Sequence, residues 1–464
     1  MAWLAKKGMS LDLRKTLLVA ACGAVVTGAA ATWGLTQAEA AGANSLRSEY
    51  EAIDYAGVAK DNPVYRLNQR IKSGEVTLKY EGEHGYLESL LKELKINPAS
   101  QILVFSKTSL QHPYINAKTP RSIYFNDDTY VAWVQGTQLV EVTTTDDKKG
   151  PVYFLFHNTP KVEDHMERET HTCLNCHDTY GNMGGGVPDL LASSSIISKG
   201  GVRLTEKFWT REVNDTVPVD DRWGGWYVTG QSGDQPHMGN ILIDDLSQMS
   251  SLDAVRHENI DTLDELGYLD TSHYLRSTSD IVSLLVLEHQ LTVVNELTYI
   301  KFKAPVVLQR MKHADAINAP SWDALPADAQ QVLRRMLDDL VKRMLFVGAA
   351  EYKDQISGSK DYSDWFEAQG PKDDQGRSLR DFDLKTKLFK HSVSFLIYSS
   401  DFNTLPPYAK DYVYRQIADV LEGHTHDETY AFIPDQERKA TLQILADTKP
   451  DFARYLDTRA ALNP

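Results

Sequence analysis

The sequence predicts an α+β protein, mainly α-helical, with a small antiparallel sheet near the N-terminus, a glycine-rich middle region and a helical C-terminal half. Three observations predict it. Between Gln101 and Asn158, short apolar runs rich in β-branched and aromatic residues are cut by turn residues, the mark of strands. From about Asn158 to Met249, glycines are frequent and helical periodicity is weak. Beyond Ile281, apolar residues return at helical spacing. The length of 464 residues suggests two or three domains, and 42% hydrophobic with 24% charged residues is ordinary for a globular protein.

Residues 1–40 read as an export signal. Lys6, Lys7, Arg14 and Lys15 give a positive start, an apolar run follows from Leu17 to about Leu35, and Ala38-Glu39-Ala40 forms a small-x-small cleavage signature. Cleavage there removes four positive and two negative charges, so the mature chain is more acidic than the formal −15. Two other readings stay open. Val19-Ala20-Ala21-Cys22 looks like a lipoprotein box, although only about five apolar residues precede Cys22 after Lys15, against ~7–15 in a signal core. The run is also just long enough to span a bilayer uncleaved. The expected location is the periplasm, with membrane contact only if this segment is uncleaved or lipidated. The acidic balance argues against a nucleic-acid partner and suits a basic redox partner.

Region 41–158 is expected to hold helix plus a small antiparallel sheet. Leu87, Leu90, Leu91 and Leu94 lie at helical spacing, and strand-like runs follow at Ile102–Phe105, Ser122–Phe125, Tyr130–Val134, Leu139–Val142 and Val152–Phe156. Asn126-Asp127-Asp128 and Asp146-Asp147 supply turns between them. Region 159–250 is glycine-rich and loop-like, the kind of sequence that wraps a bound group. Region 251–464 is predicted helical, with an apolar helix at Ile281–Leu297, amphipathic helices at Ala327–Val347 and Pro407–Leu421, and a short helix at Pro434–Thr448.

The middle region contains the motif that carries chemistry. Cys22 leaves with the signal, so the mature chain keeps two cysteines, in Cys173-Leu174-Asn175-Cys176-His177. C-x-x-C-H is the attachment signature of a c-type haem: two thiols add to the two vinyl groups on one porphyrin edge, and the adjacent histidine ligates the iron. The competing readings are weaker. A thioredoxin-like motif is followed by a helix, whereas Gly181, Gly184, Gly185, Gly186 and Pro188 follow here. A structural zinc site lacks further cysteines, and a disulfide across two residues is strained. The region is therefore expected to bind one covalent haem c and its iron through Cys173, Cys176 and His177.

The face of the iron opposite His177 decides between functions. Met238, in Gln235-Pro236-His237-Met238-Gly239-Asn240, is the leading candidate for that position, His237 is chemically equal, and another ligand or none stays open. Arg222-Trp223-Gly224-Gly225-Trp226-Tyr227 offers aromatics for a porphyrin face and Arg222 for a propionate, or else a self-contained aromatic cluster. Glu288-His289-Gln290 on the apolar helix reads first as a hydrogen-bonded core cluster and second as a distal or acid–base group. The charged run Gln375–Asp383 reads as a salt-bridged turn, and His424 and His426 as an isolated pair. His165 and His171 are surface residues or propionate partners.

Four of these segments carry a resemblance. Pro120–Asp128, Arg222–Gly230, His237–Asn240 and Arg377–Asp383 resemble a family of exported single-haem proteins that bear cytochrome c names by motif. The resemblance runs from about Leu103 to Pro450, and implies a c-type haem at Cys173, Cys176 and His177 but no particular reaction. One departure stands on the apolar helix: Val294 occupies the place of a second histidine before Asn295, which argues against a two-histidine metal site there. The leading expectation is periplasmic electron transfer through a single haem. The alternative is a haem enzyme, peroxidase- or oxygenase-like, with an open distal site near His237, Arg222 or His289. A sensor or a subunit of a respiratory assembly is a third.

Overall fold

The computed structural model describes residues 53–160, 165–178, 186–204, 213–243 and 259–462, so the expected signal at 1–40 lies outside it. Asn62 starts helix α1 (Pro63–Lys72), its side chain accepting from the Tyr65 amide at 2.8 Å while Pro63 presets the first turn. Helix α2 (Leu87–Glu93) buries Leu87, Leu90 and Leu91, the stripe its spacing predicts.

The five expected strands all form: β1 (Ile102–Val104), β2 (Arg121–Phe125), β3 (Thr129–Val134), β4 (Leu139–Asp146) and β5 (Gly150–His157). Two more come from the glycine-rich region, β6 (Glu167–Glu169) and β7 (Trp226–Tyr227), giving the antiparallel order β6-β5-β4-β3-β2-β1-β7. One sheet face, with Leu103, Tyr124, Trp133 and Phe156, packs on Val64, Leu67 and the leucines of α2. The other, with Ile102, Val104, Phe125, Tyr130 and Tyr153, packs on the helical half. Covered on both sides, β3 is buried at every position.

A single helical turn, α3 (Leu174–His177), follows β6. Helix α4 (Ile281–Arg310) is the axis of the helical half. Asp280 caps it by accepting from the Ser283 amide at 2.9 Å, and every residue from Ile281 to Asn295 is buried. A helix apolar on all sides belongs in a core. It runs past the expected end at Leu297, through Pro305. Helices α5 (Ala327–Met344), α6 (Lys360–Ala368), α7 (Ser400–Asn403), α8 (Pro407–Leu421), α9 (Asp435–Thr448) and α10 (Pro450–Leu462) complete it. Among the described residues no helix is long and apolar enough to cross a membrane.

Residues 49–464 cluster as one unit. The three expected regions are interleaved within it. β7 of the middle region pairs with β1, and Leu174 packs against both hydrophobic cores.

Candidate functional site

Strand β6 carries the chain along the sheet edge to Glu169. Its carboxylate accepts from the amides of His171 at 2.7 Å and Thr172 at 2.9 Å. These bonds, the Thr172 amide first, hold the Glu169 carboxyl below the usual range. The turn they close leads into α3, where the amides of Cys176 and His177 both donate to the Cys173 carbonyl, at 3.1 and 3.0 Å. One helical turn puts residues three apart on the same side, so both sulfurs share a face with His177 next to them. Neither cysteine is in a disulfide; Cys173 is half-buried and Cys176 exposed. Burial first, then Glu169 and Glu141, pushes the Cys173 thiol up to about 12.

His177 is held by a segment further along the chain. The Asp189 amide donates to the His177 carbonyl at 2.9 Å, and His177 Nδ1 lies 2.9 Å from the Asp189 carbonyl oxygen. A carbonyl only accepts, so Nδ1 carries the proton and Nε2 keeps a lone pair for a metal. The Tyr153 ring packs on the imidazole at 5.0 Å between centroids, and its hydroxyl donates to the same carbonyl at 2.6 Å. Asn295 of α4 then grips the next residue by both backbone groups: its Oδ1 accepts from Leu190 N at 2.8 Å and its Nδ2 donates to Leu190 O at 2.7 Å. Sheet and central helix together fix an imidazole that α3 carries. Two thiols on one helical turn beside an imidazole with a bare Nε2 make the donor set a c-type haem requires.

The other expected haem contacts have partners of their own. Arg222 is buried; its Nε donates to Val217 O at 2.7 Å, its Nη2 to Asp215 O at 3.1 Å and its Nη1 to Glu288 at 2.9 Å. The expected propionate partner instead bolts its own loop to α4. Burial pushes the Glu288 carboxyl up to about 7 against the pull of Arg222. Trp223 is buried at a φ of 70°, meets His237 edge-on at 5.3 Å and belongs to the core that Cys173 packs against.

Met238 is buried in a small apolar cluster. Its side chain packs with Ile196, Ile241 and Ile243, a cluster separate from the two cores that Cys173 and Leu174 touch. His237 Nδ1 accepts from the Gly239 amide at 3.0 Å, which leaves the ring proton on Nε2 and neither nitrogen open to iron.

His289 sits in a polar chain inside the helical half. Its Nδ1 meets Asp215 at 2.7 Å and its Nε2 meets Ser394 Oγ at 2.8 Å. Burial works against the Asp215 carboxylate, but His289 beside it holds it below the usual range. The order Asp–His–Ser is that of an activated nucleophile. Here His289 and Ser394 are both 0% exposed, with Phe346, Phe389 and Phe395 against the imidazole, so no substrate reaches the hydroxyl.

Arg377 pairs with Asp373 and Arg380 with Asp127, so the charged run is a salt-bridged turn. His424 faces Glu422 and Arg459. Among the described residues no three His, Cys, Asp or Glu side chains cluster as a metal site of their own. The glycines 181, 184 and 185 lie outside the described residues.

Sequence reasoning missed Asp189, Tyr153 and Asn295. Asn295 had a signal: a polar residue on an otherwise apolar, fully buried helix must have a partner. Asp189 acts mainly through its backbone, which no side-chain pattern reveals. Comparison with known proteins adds no relative: no family model, no curated protein and no solved structure matches the chain.

Proposed function

We propose that the chain is an exported, periplasmic electron-transfer protein with one c-type haem, held by Cys173 and Cys176 and ligated by His177. One observation carries the proposal: the hydrogen bond from His177 Nδ1 to the Asp189 carbonyl. A metal-ligating histidine characteristically donates its second nitrogen in this way, which fixes the tautomer and the ring orientation. The haem, when attached, supplies a one-electron iron couple. The chain's own residues do the rest. Tyr153 and Asp189 stop the imidazole from turning, and the hydrogen bond raises its basicity, which favours ferric iron. Asn295 keeps this support rigid from the central helix.

The residues an oxygen- or peroxide-handling site would draw on support electron transfer over catalysis. Arg222 and His289 are each buried in a pairing of their own. The acidic chain suits a basic redox partner in the same compartment.

The test is expression alongside a haem-attachment system, followed by a haem-stained denaturing gel and a pyridine haemochrome assay. The expected result is one haem per chain that survives denaturation and disappears in a Cys173→Ser, Cys176→Ser variant. A wild-type chain with no covalent haem, or a double variant that keeps it, overturns the proposal. In the loaded protein a low-spin spectrum indifferent to carbon monoxide supports electron transfer, and a high-spin spectrum that shifts with it supports the haem-enzyme alternative.

A further inference from the structure

The strip of sheet beside the haem motif is built unlike the rest of its face. Register puts Tyr153 and Leu155 of β5, Glu141 of β4, and Ile123 and Arg121 of β2 on one face, since Leu155 opposes Glu141 and Ala132 opposes both Glu141 and Ile123. Where the helical half covers this face, Phe125, Tyr130 and Tyr153 are buried. Toward Arg121 the same face opens on β2, β4 and β5, while β3 between them keeps Ala132 and Val134 buried. Arg121, Ile123, Leu139, Glu141 and Leu155 are all half-buried, while their neighbours Ser122, Tyr124, Val140 and Val142 are buried against the other core. The open strip continues from Tyr153, the residue on which the His177 ring packs.

Its polar groups are incomplete. Arg121 Nη2 meets Glu141 Oε2 at 2.6 Å, yet Arg121 Nε and Glu141 Oε1 are buried atoms with no hydrogen-bond partner. Leaving such buried atoms unpaired is costly, more so for charged groups, so a group that supplies partners is favoured there. Both side chains also bear on the Cys173 sulfur, Glu141 opposing its ionisation and Arg121 favouring it.

The geometry points to this half-open strip as the seat of the porphyrin, with Ile123, Leu139 and Leu155 against the ring and Arg121, oriented by Glu141, as the cation for a haem carboxylate. The inference rests on the haem reading above and deepens it. An occupant is specified by the tether: a group bonded to Cys173 is confined to the surfaces around it. A sheet face with apolar side chains suits a flat macrocycle, and a guanidinium pairs well with a carboxylate. Arg121 thus takes the role that Arg222, committed to Glu288, does not fill.

The test is a redox titration of the haem-loaded full chain carrying Arg121→Gln, Glu141→Gln or Ile123→Glu. Ferric haem bears one more positive charge than ferrous, so a nearby cation favours reduction and a nearby anion opposes it. Arg121→Gln is expected to move the equilibrium toward ferric about three- to tenfold, tenfold being ~59 mV for a one-electron couple. Glu141→Gln moves it the other way, and Ile123→Glu moves it with Arg121→Gln. Lys439→Gln, an exposed charge on α9, leaves it unchanged. Opposite signs from the two members of one ion pair are what a purely structural role does not give. Wild-type potentials in all three strip variants overturn the seat while leaving the haem reading intact; a wild-type chain without covalent haem fails the earlier proposal instead. If Arg121→Gln does not fold, the signs of Glu141→Gln and Ile123→Glu decide the matter.

Discussion

Asn295 shows how much one side chain can hold. It is 3% exposed, sits on α4, and bonds both the amide and the carbonyl of Leu190, the residue after Asp189. Asn295→Ala strands two buried backbone groups. The expected cost is about 3 kcal/mol, from two unsatisfied groups at about 1–3 kcal/mol each. A lowered urea midpoint would show it. In the haem-loaded protein the same variant also frees Asp189 to drift from His177, so the potential moves as well as the stability. A loss of stability with an unchanged potential would separate Asn295 from the iron. At this scale the sequence was partly legible. Cys173, Cys176 and His177 are local in sequence and announce themselves, whereas Tyr153, Asp189 and Asn295 meet only through long-range folding.

Among the elements, the loop that carries Arg222, Trp223 and Met238 departs furthest from its sequence expectation. Its aromatics and its methionine suggested a haem pocket. Instead Arg222 reaches inward to Glu288, the Met238 amide donates to the Arg222 carbonyl at 2.9 Å, and the Met238 side chain seals a small cluster with Ile196, Ile241 and Ile243. A residue that is 2% exposed among isoleucines is core. Met238→Ala is therefore expected to cost about 2–5 kcal/mol of stability through the cavity it leaves. The absorption spectrum of the haem protein should stay as in the wild type; conversion to high spin would restore Met238 as the sixth ligand. The strands were legible because β2 to β5 are long enough to show their apolar runs. β6 and β7, of three and two residues, have no pattern to show and are fixed by pairing with β5 and β1. Helix α4 outran its expected end because Ile300, Phe302, Ala304 and Leu308 keep burying apolar surface beyond Leu297.

For the molecule as a whole, the buried charges set a pH dependence whose sign can be worked out. Burial favours the protonated form of Glu288, raising it from 4.5 to about 7 in the folded chain. Across that window the folded chain keeps a proton that the unfolded chain releases, so stability falls as pH rises through it. Asp280, raised by burial to about 6, acts in the same direction. Glu288→Gln has no proton to lose there. Urea midpoints at pH 5 and pH 8 should differ less in this variant than in the wild type; an equal difference would exclude Glu288 as a source of the slope. The fold class was legible because the sheet and the helical half each have their own periodicity. The unity of residues 49–464 was not, because it depends on α4 gripping loops from the middle region through Glu288, His289 and Asn295.

The state of Cys173 has a consequence for how the molecule is made. A thiol must ionise to add efficiently to a vinyl carbon. In the folded chain this sulfur is half-buried and keeps its proton up to about 12. On the proposed haem reading, this folded state would be a poor acceptor of haem, and attachment would come before the chain closes around Cys173.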